Sequence, residues 1–204
     1  MPDMAINPTK YRIMRAAAKL YADRGYDAVT IREIGKIADI NPSTIYFHFK
    51  SKKDILLSLY EYFHERQIKA YPVLDELLKQ AETDPPIDVL MNAMFHFSDD
   101  VREFLDQILV TGSRLIVSDA DNERFIRENI FDSVTGTLRP LLERLVELGR
   151  IEPLDIDTLL GIFSYYCFSA AALNNSPFKQ GPSEYYNAVS FMFSSFIKPT
   201  GGVE

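Results

Sequence analysis

The chain has 204 residues, 47% of them hydrophobic and 25% charged, and a formal net charge of −7. That balance is the one expected of a globular protein and excludes disordered, collagen-like and fibrous chains. One cysteine, Cys167, and three histidines can build neither an internal disulfide nor a Cys/His zinc cluster, so no metal or other cofactor is expected. No apolar run of about eighteen residues stands out, and the N-terminal MPDMAINPTKYR lacks the apolar centre of a secretory signal. The expectation is a cytoplasmic protein without a membrane span.

The charge is unevenly placed. Residues 1–55 hold ten Lys/Arg against six Asp/Glu, a balance of +4, whereas residues 56–204 hold twelve against twenty-three, a balance of −11. A basic head on an acidic body suits a first quarter that faces a polyanion.

Asn7-Pro8 offers a helix N-cap followed by proline, and Ile13, Ala16, Ala17, Leu20 and Tyr21 recur at helical spacing until Gly25. Thr30-Ile31-Arg32-Glu33 reads as a capping box opening a short helix, with Ile34, Ile37 and Ala38 in its apolar stripe. Asp39-Ile40 makes a turn. Asn41-Pro42 repeats the cap, Ser43 to Phe49 forms a third helix of barely two turns, and Ser51-Lys52-Lys53-Asp54 caps a longer fourth. Two short helices joined by a tight turn and braced on each side form a helix-turn-helix. The third helix turns Asn41, Pro42, Ser43, Thr44, Tyr46, Phe47 and His48 outward, followed by Lys50, Lys52 and Lys53. These are hydrogen-bonding, planar and cationic groups, where a merely solvated helix would favour Glu and Lys.

The pattern Ile13-x-x-Ala16-Ala17, Leu20-Tyr21, Gly25-Tyr26, Thr30-Ile31-x-x-Ile34-Gly35, Ala38-Asp39-Ile40-Asn41-x-Ser43-Thr44-Ile45-Tyr46-x-His48-Phe49-x-Ser51-Lys52-x-x-Ile55-Leu56 resembles the N-terminal signature of the TetR-type bacterial transcriptional regulators. Two positions depart from it: Asp39 stands at the family's turn glycine and Ser43 at the glycine before the recognition-helix threonine. Aspartate tolerates left-handed backbone, so the turn survives. Thr30, Tyr46 and Lys52 are expected to donate to phosphates and Asn41, Ser43, Thr44 and Phe47 to reach bases, with Pro42, His48 and Lys50 in the same DNA-binding surface.

Beyond Tyr71-Pro72 the chain reads as successive helices at Val73–Glu82, Ile87–Phe97, Asp99–Val117, Asn122–Ser133, Leu138–Leu148, Ile156–Leu173 and Glu184–Ile197, without strand alternation. Pro140 either opens its helix or kinks a longer one. The tail from Lys198 is expected to fray. The last two helices are apolar nearly all round, and Gly161, Ser164, Ser169 and Ala172 permit close approach. One side is assigned to the chain's own core and the other to a second copy; the resembled family likewise dimerises through its two final helices. That family also encloses an apolar effector cavity among its middle helices, for which Met91, Met94, Phe95, Phe104, Arg114, Phe125, Phe131, Tyr165 and Tyr166 are the candidates here. Each is otherwise an ordinary core residue, and Arg114 is either an anion partner or an exposed side chain.

Glu61-x-x-His64 has di-iron spacing, but the second such pair that a di-iron site requires is missing from the sequence, so no enzyme is expected. The fold class is all-α: a helix-turn-helix domain over residues 1–52, a connecting helix over 53–71, and a helical effector-binding and dimerisation domain over 72–204. The function read from these features is a ligand-responsive, dimeric repressor of a pseudo-palindromic operator, responding to a small apolar effector. The rival is a helical ligand-binding or protein-interaction module whose helix-turn-helix no longer reads DNA.

Overall fold

A computed structural model describes residues 7–70, 74–94, 99–115, 120–173 and 180–200. The helices are α1 (Pro8–Arg24), α2 (Ile31–Ala38), α3 (Pro42–His48), α4 (Lys52–Ala70), α5 (Leu74–Thr83), α6 (Pro86–Met94), α7 (Asp99–Leu115), α8 (Ala120–Ile126), α9 (Ser133–Glu147), α10 (Ile156–Leu173) and α11 (Pro182–Phe196), with a π turn over Arg127–Asp132. The all-α expectation holds.

Local chemistry accounts for the first four helices. The Asn7 side chain accepts from the Thr9 and Lys10 amides at 2.9 and 3.2 Å, and Gly25 ends α1 at φ 85°. Asp39 stops α2 in left-handed backbone at φ 52°, ψ 53°, and the Ile40 amide donates to the Gly35 carbonyl at 2.9 Å. A Cβ on Gly35 would lie 2.6 Å from the Ile40 carbonyl oxygen, so the turn requires glycine there. At the start of α4 the Asp54 amide donates to Ser51 Oγ and the Lys50 amide to Asp54 Oδ2.

Two apolar cores follow. In the first, α1 packs against α2, α4 and α7, and Ile13, Tyr21, Ile34, Ile45, Phe49 and Leu59 are joined by Phe104, Ile108, Phe125 and Ile126 from α7 and α8. The second holds Leu77, Leu90, Leu138, Leu141, Leu142, Leu145, Phe163, Val189 and Phe193 from α5, α6, α9, α10 and α11. The core beneath the first three helices is thus partly supplied by the body.

The body departs from the sequence reading in three places. Residues 120–147 run on without the break expected around 134–137, because Val134, Leu138, Leu141, Leu142 and Leu145 form one buried stripe. That stripe outweighs the weak helix preference of Val134-Thr135-Gly136-Thr137, and Pro140 lies inside the longer helix, its ring opposite the carbonyl of Gly136. The tail is tied down as far as Thr200. The Glu152 amide donates to the Lys198 carbonyl at 2.9 Å and the Thr200 amide to the Arg150 carbonyl at 3.1 Å, with an antiparallel bridge between Ile151 and Pro199. Finally, α10 is an 18-residue helix with a mean hydropathy of 1.4, long and apolar enough to cross a membrane. Here it packs against α7 and α9, and Phe163 stacks on Phe193 of α11 at 5.2 Å between ring centres.

Candidate nucleic-acid interface

Ile45 and Phe49 of the α3 segment are buried in the first core, which turns the opposite face of α3 outward. Asn41, Ser43, Thr44, Tyr46, Phe47 and Lys50 are exposed, and Pro42 and His48 are half-buried. Tyr46 has 57% and Phe47 84% of its surface open to solvent. The Phe47 ring meets His48 edge-on, with centres 5.2 Å apart. All the residues expected on the third helix are therefore exposed or half-buried.

Their hydrogen-bonding capacity is partly committed. Asn41 Oδ1 accepts from the Ser43 amide and the Ser43 hydroxyl, both at 3.1 Å, which leaves the Asn41 amide NH2 as the group it can offer outward. Thr30 caps α2, its hydroxyl donating to Glu33 Oε2 at 2.8 Å. Glu33 also accepts from the Thr30 amide at 2.8 Å and from Arg24 at 2.7 Å. The Arg24 guanidinium, then the Thr30 hydroxyl and amide, hold the Glu33 carboxyl down at about 2.

The lysines following α3 are placed less freely than their sequence suggests. Lys52 Nζ donates to the carbonyls of Tyr26 at 2.9 Å, Val29 at 3.1 Å and Asp27 at 3.5 Å, and lies 4.2 Å from the centre of the Tyr26 ring. It fastens the loop before α2 to the start of α4. Lys53 pairs with Asp121 of α8 at 3.0 Å. Lys50 is exposed. The sequence reading passed over Arg12, which donates to the carbonyls of Ala38 at 2.6 Å and Asp39 at 3.4 Å and so braces the turn into α3. No motif marks such a residue, since its acceptors are backbone groups 26 and 27 positions away.

The eight described residues among the nine proposed for an effector cavity are divided between the two cores and the surface. Phe95 lies outside the described residues. Met91 and Met94 belong to the second core or pack on it, Phe104 and Phe125 are buried in the first, and Phe125 stacks on Tyr60 at 3.9 Å. Arg114 is exposed and donates to the Ala22 carbonyl at 2.5 Å, closing the end of α1. Phe131 meets the outward-facing Tyr165 at 5.4 Å, and the Tyr166 hydroxyl donates to Gln180. An open groove of about 450 Å³ lies instead between α1, the end of α2 and α7, lined by Tyr11, Arg12, Arg15, Lys19, Ile37 and Glu103 among others. His64 Nδ1 faces Asn129 Oδ1 of the π turn at 3.3 Å, a contact between α4 and the body.

On the outer side of the last two helices, Ile162, Tyr165, Leu173, Tyr186, Phe191 and Phe196 are exposed, Phe191 by 73%, whereas Phe163, Val189, Phe193 and Ile197 point inward.

Residues 13–59 match the family model described as bacterial regulatory proteins, tetR family. Over 105 residues the chain is 32% identical to the uncharacterized HTH-type transcriptional regulator YerO of Bacillus subtilis, covering 52% of this chain and 35% of that protein. Over 97 residues it is 30% identical to the biofilm operon icaADBC HTH-type negative transcriptional regulator IcaR of Staphylococcus aureus, covering 46% of this chain and 48% of the relative. The chain thus spans half or less of the length of these curated relatives. Among solved structures, the TetR family transcriptional regulator PfmR of Thermus thermophilus matches with a TM-score of 0.64 at 22% identity, over 90% of this chain and 95% of that one. A bacterial regulatory protein in the tetR family from Rhodococcus matches with a TM-score of 0.66 at 20% identity, over 96% and 100%. Residues 13–59 thus match the helix-turn-helix of the tetR family of bacterial regulatory proteins, and the chain shares the fold of solved TetR-family regulators along nearly its whole length.

Proposed function

We propose that the protein is a cytoplasmic, ligand-responsive repressor that binds a pseudo-palindromic operator as a homodimer. The observation that carries the reading is the outward face of α3, where Ser43, Thr44, Tyr46 and Phe47 stand clear of the core on a helix short enough for the major groove. Residues 1–52 form the reading head, α4 connects it, and residues 72–204 form the body that dimerises and binds effector. Asn41, Ser43, Thr44 and Phe47 face bases. Pro42, Tyr46, His48 and Lys50 border the groove, and Thr30 approaches a phosphate. The function is binding rather than catalysis.

Dimerisation supplies the second half-site. The exposed apolar side of α10 and α11 suits a two-fold, self-complementary seam, which would set the two recognition helices about 34–36 Å apart or near a multiple of it. Repression, rather than activation, is supported by IcaR, a negative regulator by name. For the effector, a small apolar molecule, the half-buried pair of Phe131 and Phe168, with ring centres 6.2 Å apart, is the aromatic surface we assign.

Duplexes selected from a random pool by the purified protein test this proposal. A shift to a retarded complex of two protomers per duplex, weakening steeply with salt, is expected. Unchanged mobility at low salt would favour a helical module that no longer reads DNA. A molecule that regulates must lose affinity in the presence of operator by the same factor by which it weakens operator binding.

A further inference from the structure

We propose that Phe47 reads the 5-methyl group of a thymine on the floor of the major groove, once per half-site. The inference rests on the DNA-binding reading above and adds the chemical group being recognised.

Phe47 is the most open of the large apolar side chains among the described residues. Keeping a phenyl ring in water forfeits the free energy its burial would return, and a helix fixed by Ile45 and Phe49 gives it no way inward. The ring is also held in direction, edge-on to His48 at an angle of 84°. Around it, Asn41, Ser43, Thr44 and Tyr46 all carry donors or acceptors and Pro42 is half-buried, so Phe47 is the most open apolar point on a largely hydrogen-bonding surface.

The chemistry of the groove then restricts what it can read. A phenyl side chain has no donor or acceptor, so guanine N7 and O6, adenine N6 and N7, cytosine N4 and thymine O4 offer it nothing directional. The thymine 5-methyl is the apolar feature that the major-groove edge of a base pair displays. Apolar side chains that wedge between base steps do so from the minor groove, which a helix seated in the major groove does not face. The seam proposed on α10 and α11 uses other residues on other helices and leaves Phe47 available.

The test uses the full-length protein and a duplex it has selected from a random pool. Each thymine is replaced in turn by deoxyuridine, which lacks only the 5-methyl group. One thymine per half-site should respond, with affinity falling about fourfold, as expected for one methyl group no longer buried. Phe47→Ala should bind the thymine and uracil duplexes equally well, and Phe47→Leu should retain part of the difference. Placing cytosine and then 5-methylcytosine at that position should restore a similar factor for the original protein. Tolerance of uracil at every position, or a uracil penalty that persists undiminished in Phe47→Ala, would overturn the assignment while leaving DNA binding intact. Failure to retain any duplex from the pool would overturn the DNA-binding reading, and this assignment with it.

Discussion

Replacing Lys52 with methionine keeps the side-chain stem and removes the ammonium that joins the loop before α2 to the start of α4. Two of its bonds to carbonyls are short, at 2.9 and 3.1 Å, and the Tyr26 ring lies 4.2 Å away. A hydrogen bond to a charged group contributes about 1.5–3 kcal/mol and an exposed cation–π contact about 0.5–1 kcal/mol. The released carbonyls lie near solvent and recover part of this from water, so the net loss should be about 2 kcal/mol, lowering the melting temperature by about 4–8 °C for a chain of this size. Urea denaturation at several protein concentrations measures it. The salt dependence of operator binding should keep its slope, because this ammonium is already occupied inside the head. The sequence suggested the opposite, a phosphate contact whose removal flattens the slope by about one unit. Unchanged stability together with that flatter slope would refute the reasoning.

Phe191→Arg places a charge on the exposed face of α11 and should give a folded monomer by sedimentation, whereas Phe193→Arg, in the same helix but fully buried against Phe163, should unfold the body; a dimeric Phe191→Arg variant would move the seam elsewhere. At the turn into α3, urea midpoints should rank Asp39→Gly above the parent and the parent above Asp39→Ala, with about 1 kcal/mol between the extremes, since φ is 52°. Glu33 has its carboxyl lowered from 4.5 to about 2. Because the folded value lies below the unfolded one, the stability it contributes is present above about pH 4.5 and is lost as pH falls toward 2. Melting curves of Glu33→Gln should therefore be less pH-dependent than the parent's in that window, and parallel acid limbs would contradict the assignment.

The head was legible in the sequence because its signals close within two to four residues. Asn7 caps Thr9, Thr30 and Glu33 cap each other, Asn41 caps Ser43 and Ser51 caps Asp54. The same range explains what was missed. Lys52, Arg12 and Arg114 find backbone carbonyls 23 to 92 positions away, and a carbonyl has no residue identity to read. The stretch 134–137 and Pro140 suggested a break or a kink, yet a leucine stripe whose value depends on α5 and α10 keeps that helix whole. Nothing in the spacing of the described aromatic residues assigned to a cavity says which of the two cores, or the surface, receives each.

The knot around Arg150 bears on the order in which the chain can complete itself. Its guanidinium donates to the carbonyls of Ala81, Glu82, Thr83 and Asp84, and its own carbonyl accepts from Thr200. Three stretches separated by about 50 to 70 residues meet there. During synthesis every group proposed to face bases leaves the ribosome before the Phe104 and Phe125 walls of its core, and the knot closes only once α11 and Thr200 are out. A product cut before α7 would carry α3 on an unfinished core and lack the face of α10 and α11 proposed as the seam. On the proposed function, such clipped chains would compete poorly for operator.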